Sequence, residues 1–114
     1  MALAIASREV DGVTVVELSG RITLGEGSVQ LRDAISDLIG KGQHSILLDL
    51  SEVNYIDSSG LGELVSAYTS AKNKGASLKL LKLTQKVHDL LQLTKLYTVF
   101  DIYDDEASAI ASFK

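Results

Sequence analysis

Ile46-Leu47-Leu48-Asp49-Leu50 is a near-continuous apolar run, and it leads through Ser51-Glu52-Val53-Asn54-Tyr55-Ile56 into Asp57-Ser58-Ser59-Gly60-Leu61-Gly62. Such a run marks a strand buried on both faces, as in a parallel sheet covered by helices. The residues after Leu50 predict a turn, then a helix over 58–74. Leu61, Leu64, Val65 and Tyr68 fall on one helical stripe, and Gly75 ends it.

Outward from this segment, the rest of the chain reads consistently. Upstream, Asp11-Gly12 separates β-prone residues 4–10 and 13–19, the pattern of a tight hairpin. Val16 and Leu18 alternate with Glu17 and Ser19, as a strand with one buried face requires. Gly20-Arg21-Ile22-Thr23 reads as a short strand before a Gly25-Glu26-Gly27 loop. Ser28 is placed to cap a helix carried by Leu31, Ala34, Ile35, Leu38 and Ile39, which Gly40-Lys41-Gly42 stops.

Downstream, Leu78, Leu80, Leu81 and Leu83 form a strand. Residues 85–94 are amphipathic through Val87, Leu90 and Leu91. Residues 100–103 are a short strand, and Asp104-Asp105-Glu106 open a last helix through Ala107, Ile110 and Ala111. Alternating helices and strands after a hairpin predict an α/β fold. Its sheet is mixed but mostly parallel, with an N-terminal antiparallel hairpin and flanking helices. There is no proline and no repeat to mark a linker, so residues 1–114 read as one domain.

Composition narrows the function. At 46% hydrophobic and 23% charged, the 114 residues can build a single core without staples. The absence of cysteine excludes disulfides, thiolate metal sites and a cysteine nucleophile, and it suits a cytoplasmic location. A formal charge of −4 and 5% aromatics argue against a nucleic-acid partner. Residues 1–8 lack the basic opening of a signal peptide, and no apolar stretch approaches the ~20 residues of a membrane segment.

The junction at Asp57–Gly62 follows the carboxyl end of the most buried strand, where ligands and partners meet open α/β sheets. Ser58 or Ser59 is placed to cap the helix, and Gly60 and Gly62 leave room for another backbone. A helix start also tolerates negative charge, so a hydroxyl there is a candidate phosphoryl acceptor. A phosphate would add roughly −1.5 to −2 charge to the surface. Spacing alone leaves two readings open, a helix start merely capped by Asp57 and the serines and a phosphorylation site.

Competing chemistries lack required parts. Val65 stands where a dinucleotide fingerprint after Gly60-x-Gly62 needs glycine or alanine, and no lysine follows Gly25-Glu26-Gly27-Ser28. A serine nucleophile at Ser58 or Ser59 with His44 or His88 as base lacks the Gly-x-Ser-x-Gly elbow. A receiver-type Asp57 would need an acidic pair for magnesium, and Glu9 and Asp11 sit at the hairpin turn instead. Asp101, Asp104, Asp105 and Glu106 suit a helix start rather than a calcium loop. No catalytic residue, cofactor or metal is expected. Lys72, Lys74, Lys79, Lys82, Lys86 and Lys95 read as a solvated face, with a patch aiding encounter with an acidic protein or anionic lipid as the alternative.

Asp57-Ser58-Ser59-Gly60-Leu61-Gly62, following Leu48-Asp49-Leu50-Ser51-Glu52-Val53, resembles the signature of STAS domains, most of all those of bacterial anti-sigma factor antagonists. Leu18-Ser19-Gly20, Gly75 before a Leu-rich strand, and residues 91–96 extend the likeness over nearly the whole chain. The resemblance implies a phosphorylation-switched binding module rather than a catalyst. The unphosphorylated form would bind an anti-sigma factor that is a serine kinase, and a PP2C-type phosphatase would restore that form.

Ser58, directly after the motif aspartate, would be the phosphorylated residue. Asp57 would orient or polarise it, and Ser59 would fill the neighbouring Ser/Thr position. Asp57, Ser58, Ser59, Gly60, Leu61 and Gly62 would dock the partner together with the edge at Arg21 and Thr23. That edge departs from the family, where Glu-Leu-Asp often stands in place of Arg21-Ile22-Thr23. Leu83-Thr84-Gln85 also lacks the proline often found before the third helix. The alternative implied by the same resemblance is a non-sigma module in a stressosome-like or lipid-transport complex.

Overall fold

β1 (Leu3–Val10) and β2 (Val13–Ile22) pair antiparallel, and Asp11 and Gly12 turn the chain between them at φ of 51° and 82°. Two consecutive left-handed residues make the turn whose twist matches a two-residue hairpin, which is why Asp-Gly suits it. This is a computed structural model, and it describes residues 3–114. Met1 and Ala2, the start of the N-terminal stretch read for a targeting signal, lie outside the described residues.

The hairpin feeds α1 (Glu26–Gly40), β3 (Ser45–Ile56), α2 (Ser58–Asn73), β4 (Ser77–Leu81), α3 (Gln85–Leu93), β5 (Ile102–Tyr103) and α4 (Glu106–Ala111). The described residues thus form one α/β domain, with strands in the order β1-β2-β3-β4-β5 and every pair after the hairpin parallel. Alternation along β2 and β3 divides the interior. Val16, Leu18, Ile46, Leu48 and Leu50 join Leu31 and Ile35 of α1, Leu61 and Leu64 of α2, and Val87 and Leu91 of α3 in the larger core. Val15 and Leu47 face the other way, under Ala109 and Ile110 of α4. Leu47, Leu48 and Leu50 are wholly buried, each stabilising the fold by roughly 1.5–3 kcal/mol over an exposed position.

Four sequence expectations are corrected. The stretch Ser51–Ile56 is not a turn, because it continues β3 up to Asp57. Gly20-Arg21-Ile22 is not a separate strand. It extends β2 past register shifts and pairs with that added length of β3, with Gly20 opposite Val53 and Ile22 opposite Ile56.

Ser28 does not cap α1. The helix begins earlier, Gly25 stands at the cap position, and Ser28 is buried with its hydroxyl donating to the Gly25 carbonyl at 3.2 Å. Leu83 falls outside β4, which ends at Leu81, where Lys82 turns the chain at φ 55°. Among the described residues, no helix is long and apolar enough to cross a membrane.

Candidate functional site

Asp57 is the single residue between β3 and α2, and it is the N-cap of that helix. Its Oδ1 accepts from the Gly60 amide at 2.8 Å, and its Oδ2 accepts from the Leu24 amide at 3.1 Å. Its own amide donates to the Ile22 carbonyl at 3.3 Å. One carboxylate therefore ties the start of α2 to the loop leaving β2. The Gly60 amide, with those of Leu24 and Ser59 beside it, holds the carboxyl below the usual carboxylate range against the opposing effect of partial burial. With both oxygens bonded to amides, Asp57 holds the turn.

Of the caps expected at this helix start, Asp57 is the one formed, and the expectation that Ser58 or Ser59 caps α2 is corrected. Because Asp57 does so, Ser58 is spared the capping role and stands exposed as the first residue of the helix. Ser59 is half-buried, and Leu61 is buried in the larger core. Gly60 and Gly62 do different things. A Cβ at Gly60 would meet the Ile22 carbonyl oxygen at 2.1 Å, so the close backbone approach expected of this motif is made by the chain's own β2. At Gly62 nothing lies within 4 Å of an added Cβ, and that residue faces open space.

The edge residues lie beside this turn. Arg21 pairs with Tyr55 in the sheet register, and its guanidinium carbon stands 4.9 Å from the centre of the Tyr55 ring. Thr23 is half-buried, and its carbonyl accepts from the Ser28 amide at 3.0 Å, closing the loop that carries Leu24. Ser58 opens onto a surface depression of about 440 Å³ that also includes Tyr55, Lys86, Leu90 and Leu93. His44 and His88 do not line it. His88 instead packs edge-on against Tyr97, with ring centres 5.1 Å apart. Among the described residues, no cluster of side chains could hold a metal ion.

Residue patterns alone missed the apolar flanks of the site. Leu24 is 77% exposed on the loop tied to Asp57, and Leu93 is 80% exposed at the end of α3. Leu93 carried a readable signal, since it lies off the Val87–Leu91 stripe on an otherwise polar face. Leu24 carried none, because an isolated leucine in a loop acquires meaning only from its neighbours in space.

The family model of the STAS domain matches residues 4–109. The chain is 30% identical over 115 residues to the anti-sigma F factor antagonist of Paenibacillus polymyxa, covering 100% of this chain and 97% of that protein. The crystal structure of an anti-sigma factor antagonist from Mycobacterium paratuberculosis superposes with a TM-score of 0.82 at 23% identity, over 97% of this chain and 93% of that one. The structure of the Bacillus cell fate determinant SpoIIAA in the phosphorylated form gives a TM-score of 0.74 at 21% identity, over 97% and 100% of the two chains. These last two likenesses are of fold.

Proposed function

This chain belongs to the STAS domain family, and from that premise we propose that it is an anti-sigma factor antagonist whose docking surface is switched by phosphorylation of Ser58. The observation that carries the reading is the exposed Ser58 on a helix start already capped by Asp57. A phosphate can be added there without removing a hydrogen bond that holds the fold.

The partner is an anti-sigma factor that is also a serine kinase. It docks on the surface formed by Asp57, Ser58, Ser59, Gly60, Leu61 and Gly62 with Arg21 and Thr23. Leu24 and Leu93 supply apolar anchors at its rim. In the transfer step the Ser58 Oγ attacks the γ-phosphorus of ATP. A new Oγ–P bond forms, the bond to the β–γ bridging oxygen breaks, ADP leaves with that electron pair, and the hydroxyl proton passes to a base of the kinase or to water. The added charge is desolvated and unmatched in the docked state, so the partner is released. A PP2C-type phosphatase directs water at the same phosphorus, frees inorganic phosphate and restores the serine.

The test is incubation with the cognate anti-sigma factor and ATP, followed by mass mapping. One phosphate on Ser58 is expected. A phosphate on any other residue overturns the assignment.

A further inference from the structure

Arg21 and Lys86 share one aromatic ring. The Arg21 guanidinium carbon stands 4.9 Å and the Lys86 ammonium 5.3 Å from the centre of Tyr55, which lies three positions before Ser58. Among the described residues neither cation pairs with a carboxylate, in contrast to Arg32 with Glu63 at 3.3 Å and Lys41 with Asp37 at 2.9 Å. Lys86 projects from the first turn of α3, and it lines the same depression as Ser58.

The carboxylates of that depression are otherwise engaged. Asp57 accepts the two backbone amides, and Asp89 accepts from Gln85 Nε2 at 2.7 Å with His88 Nδ1 at 3.4 Å. A depression of about 440 Å³ has ample room for a phosphoryl group.

We propose that Lys86, with Arg21 beside it on Tyr55, is an internal receiver for the phosphoryl group of Ser58. This rests on Ser58 being the modified residue. A charge-assisted pair with a phosphate dianion is stronger than an exposed cation–π contact, so Lys86 exchanges the ring for the phosphate. Phosphorylation then alters the surface twice, adding an anion and withdrawing a cation that the unmodified protein presents to its partner.

The experiment installs phosphoserine at position 58 by genetic encoding, which needs no kinase, and follows its second ionisation by phosphorus NMR. That ionisation ordinarily lies near pH ~6. The receiver lowers the midpoint, Lys86→Gln raises it by about half a unit or more, and Lys86→Arg keeps it low. Arg21→Gln shifts it the same way by less.

An identical midpoint in the parent and Lys86→Gln phosphoproteins overturns the pairing. Equal melting temperatures of the unmodified parent and Lys86→Gln chains show that the variant is folded. Kinase labelling away from Ser58 would overturn the proposed function instead, and the NMR comparison would still decide the pairing.

Discussion

The Cα of Gly60 lies so close to Ile22 that a Cβ would stand 2.1 Å from that residue's carbonyl oxygen and 2.8 Å from its carbonyl carbon. This contact presses the first turn of α2 onto the end of β2. It also fixes where Ser58 stands relative to the Arg21–Leu24 edge. The two nearest obstructing atoms are backbone, so they cannot swing aside as a flexible side chain could.

Gly60→Ala is accordingly expected to destabilise the domain by about 1–3 kcal/mol through overpacking. In a melting experiment on a domain of this length that is a drop of roughly 4 °C per kcal/mol. Gly62→Ala meets open space and relieves a helix-interior glycine, so it should leave stability unchanged or raise it by about 0.4–1 kcal/mol. Equal losses from the two substitutions would show that glycine is needed here for flexibility rather than for clearance.

Asp57→Ala removes the acceptor for both the Gly60 and Leu24 amides. The expected cost is about 0.5–2 kcal/mol in urea unfolding, the range of a lost N-cap. Asp57→Asn keeps one carbonyl acceptor and should lose less.

The same carboxylate gives the domain part of its acid sensitivity. Its pKa is lower folded than unfolded, so its contribution is complete above the ordinary carboxylate value of about 3.9. That contribution disappears as pH falls through the lower folded-state value. Stability measured from pH 6 downward should therefore decline more steeply in the parent than in Asp57→Asn. Parallel curves would count against this source.

Ser58→Ala should retain affinity for the kinase-type partner and take up no phosphate, whereas Ser58→Asp should bind at least ten-fold more weakly. Ser59→Ala should still be labelled. Calorimetric titration with the anti-sigma factor would measure all three. Equal affinities of the Ala and Asp variants at position 58 would rule out charge as the basis of release.

Leu24→Ser and Leu93→Ser alter exposed side chains, so melting temperatures should barely move, within about ±0.5 kcal/mol of stability. Partner affinity should fall by ten-fold or more in each, about 1.4 kcal/mol. Undiminished binding in both would move the docking surface away from this rim.

Much of the architecture was legible because it is written in local pattern. Ile46–Leu50 read as an interior strand because a short, near-continuous apolar run fits a strand covered on both faces. Asp11-Gly12 had to turn, because both residues tolerate the left-handed conformations found there. The strand character of Ser51–Ile56 was not legible, nor was the continuity of the Gly20–Ile22 strand with β2. Ser51–Ile56 is too polar and too irregular to read as a strand alone, and it becomes one by pairing with Gly20–Ile22 across a shifted register.

The amino-acid sequence by itself determined the α/β class, the antiparallel hairpin and the place of the Asp57–Gly62 junction at a strand's carboxyl end. These follow from side-chain periodicity and turn chemistry, which act over a few residues. Tertiary structure alone decided that the Asp57 carboxylate also reaches across to Leu24, that Gly60 is held clear for Ile22, and that Arg21, Tyr55 and Lys86 gather beside Ser58. Those relationships join residues from β2, β3, α2 and α3, and their geometry is created only when the sheet and helices pack.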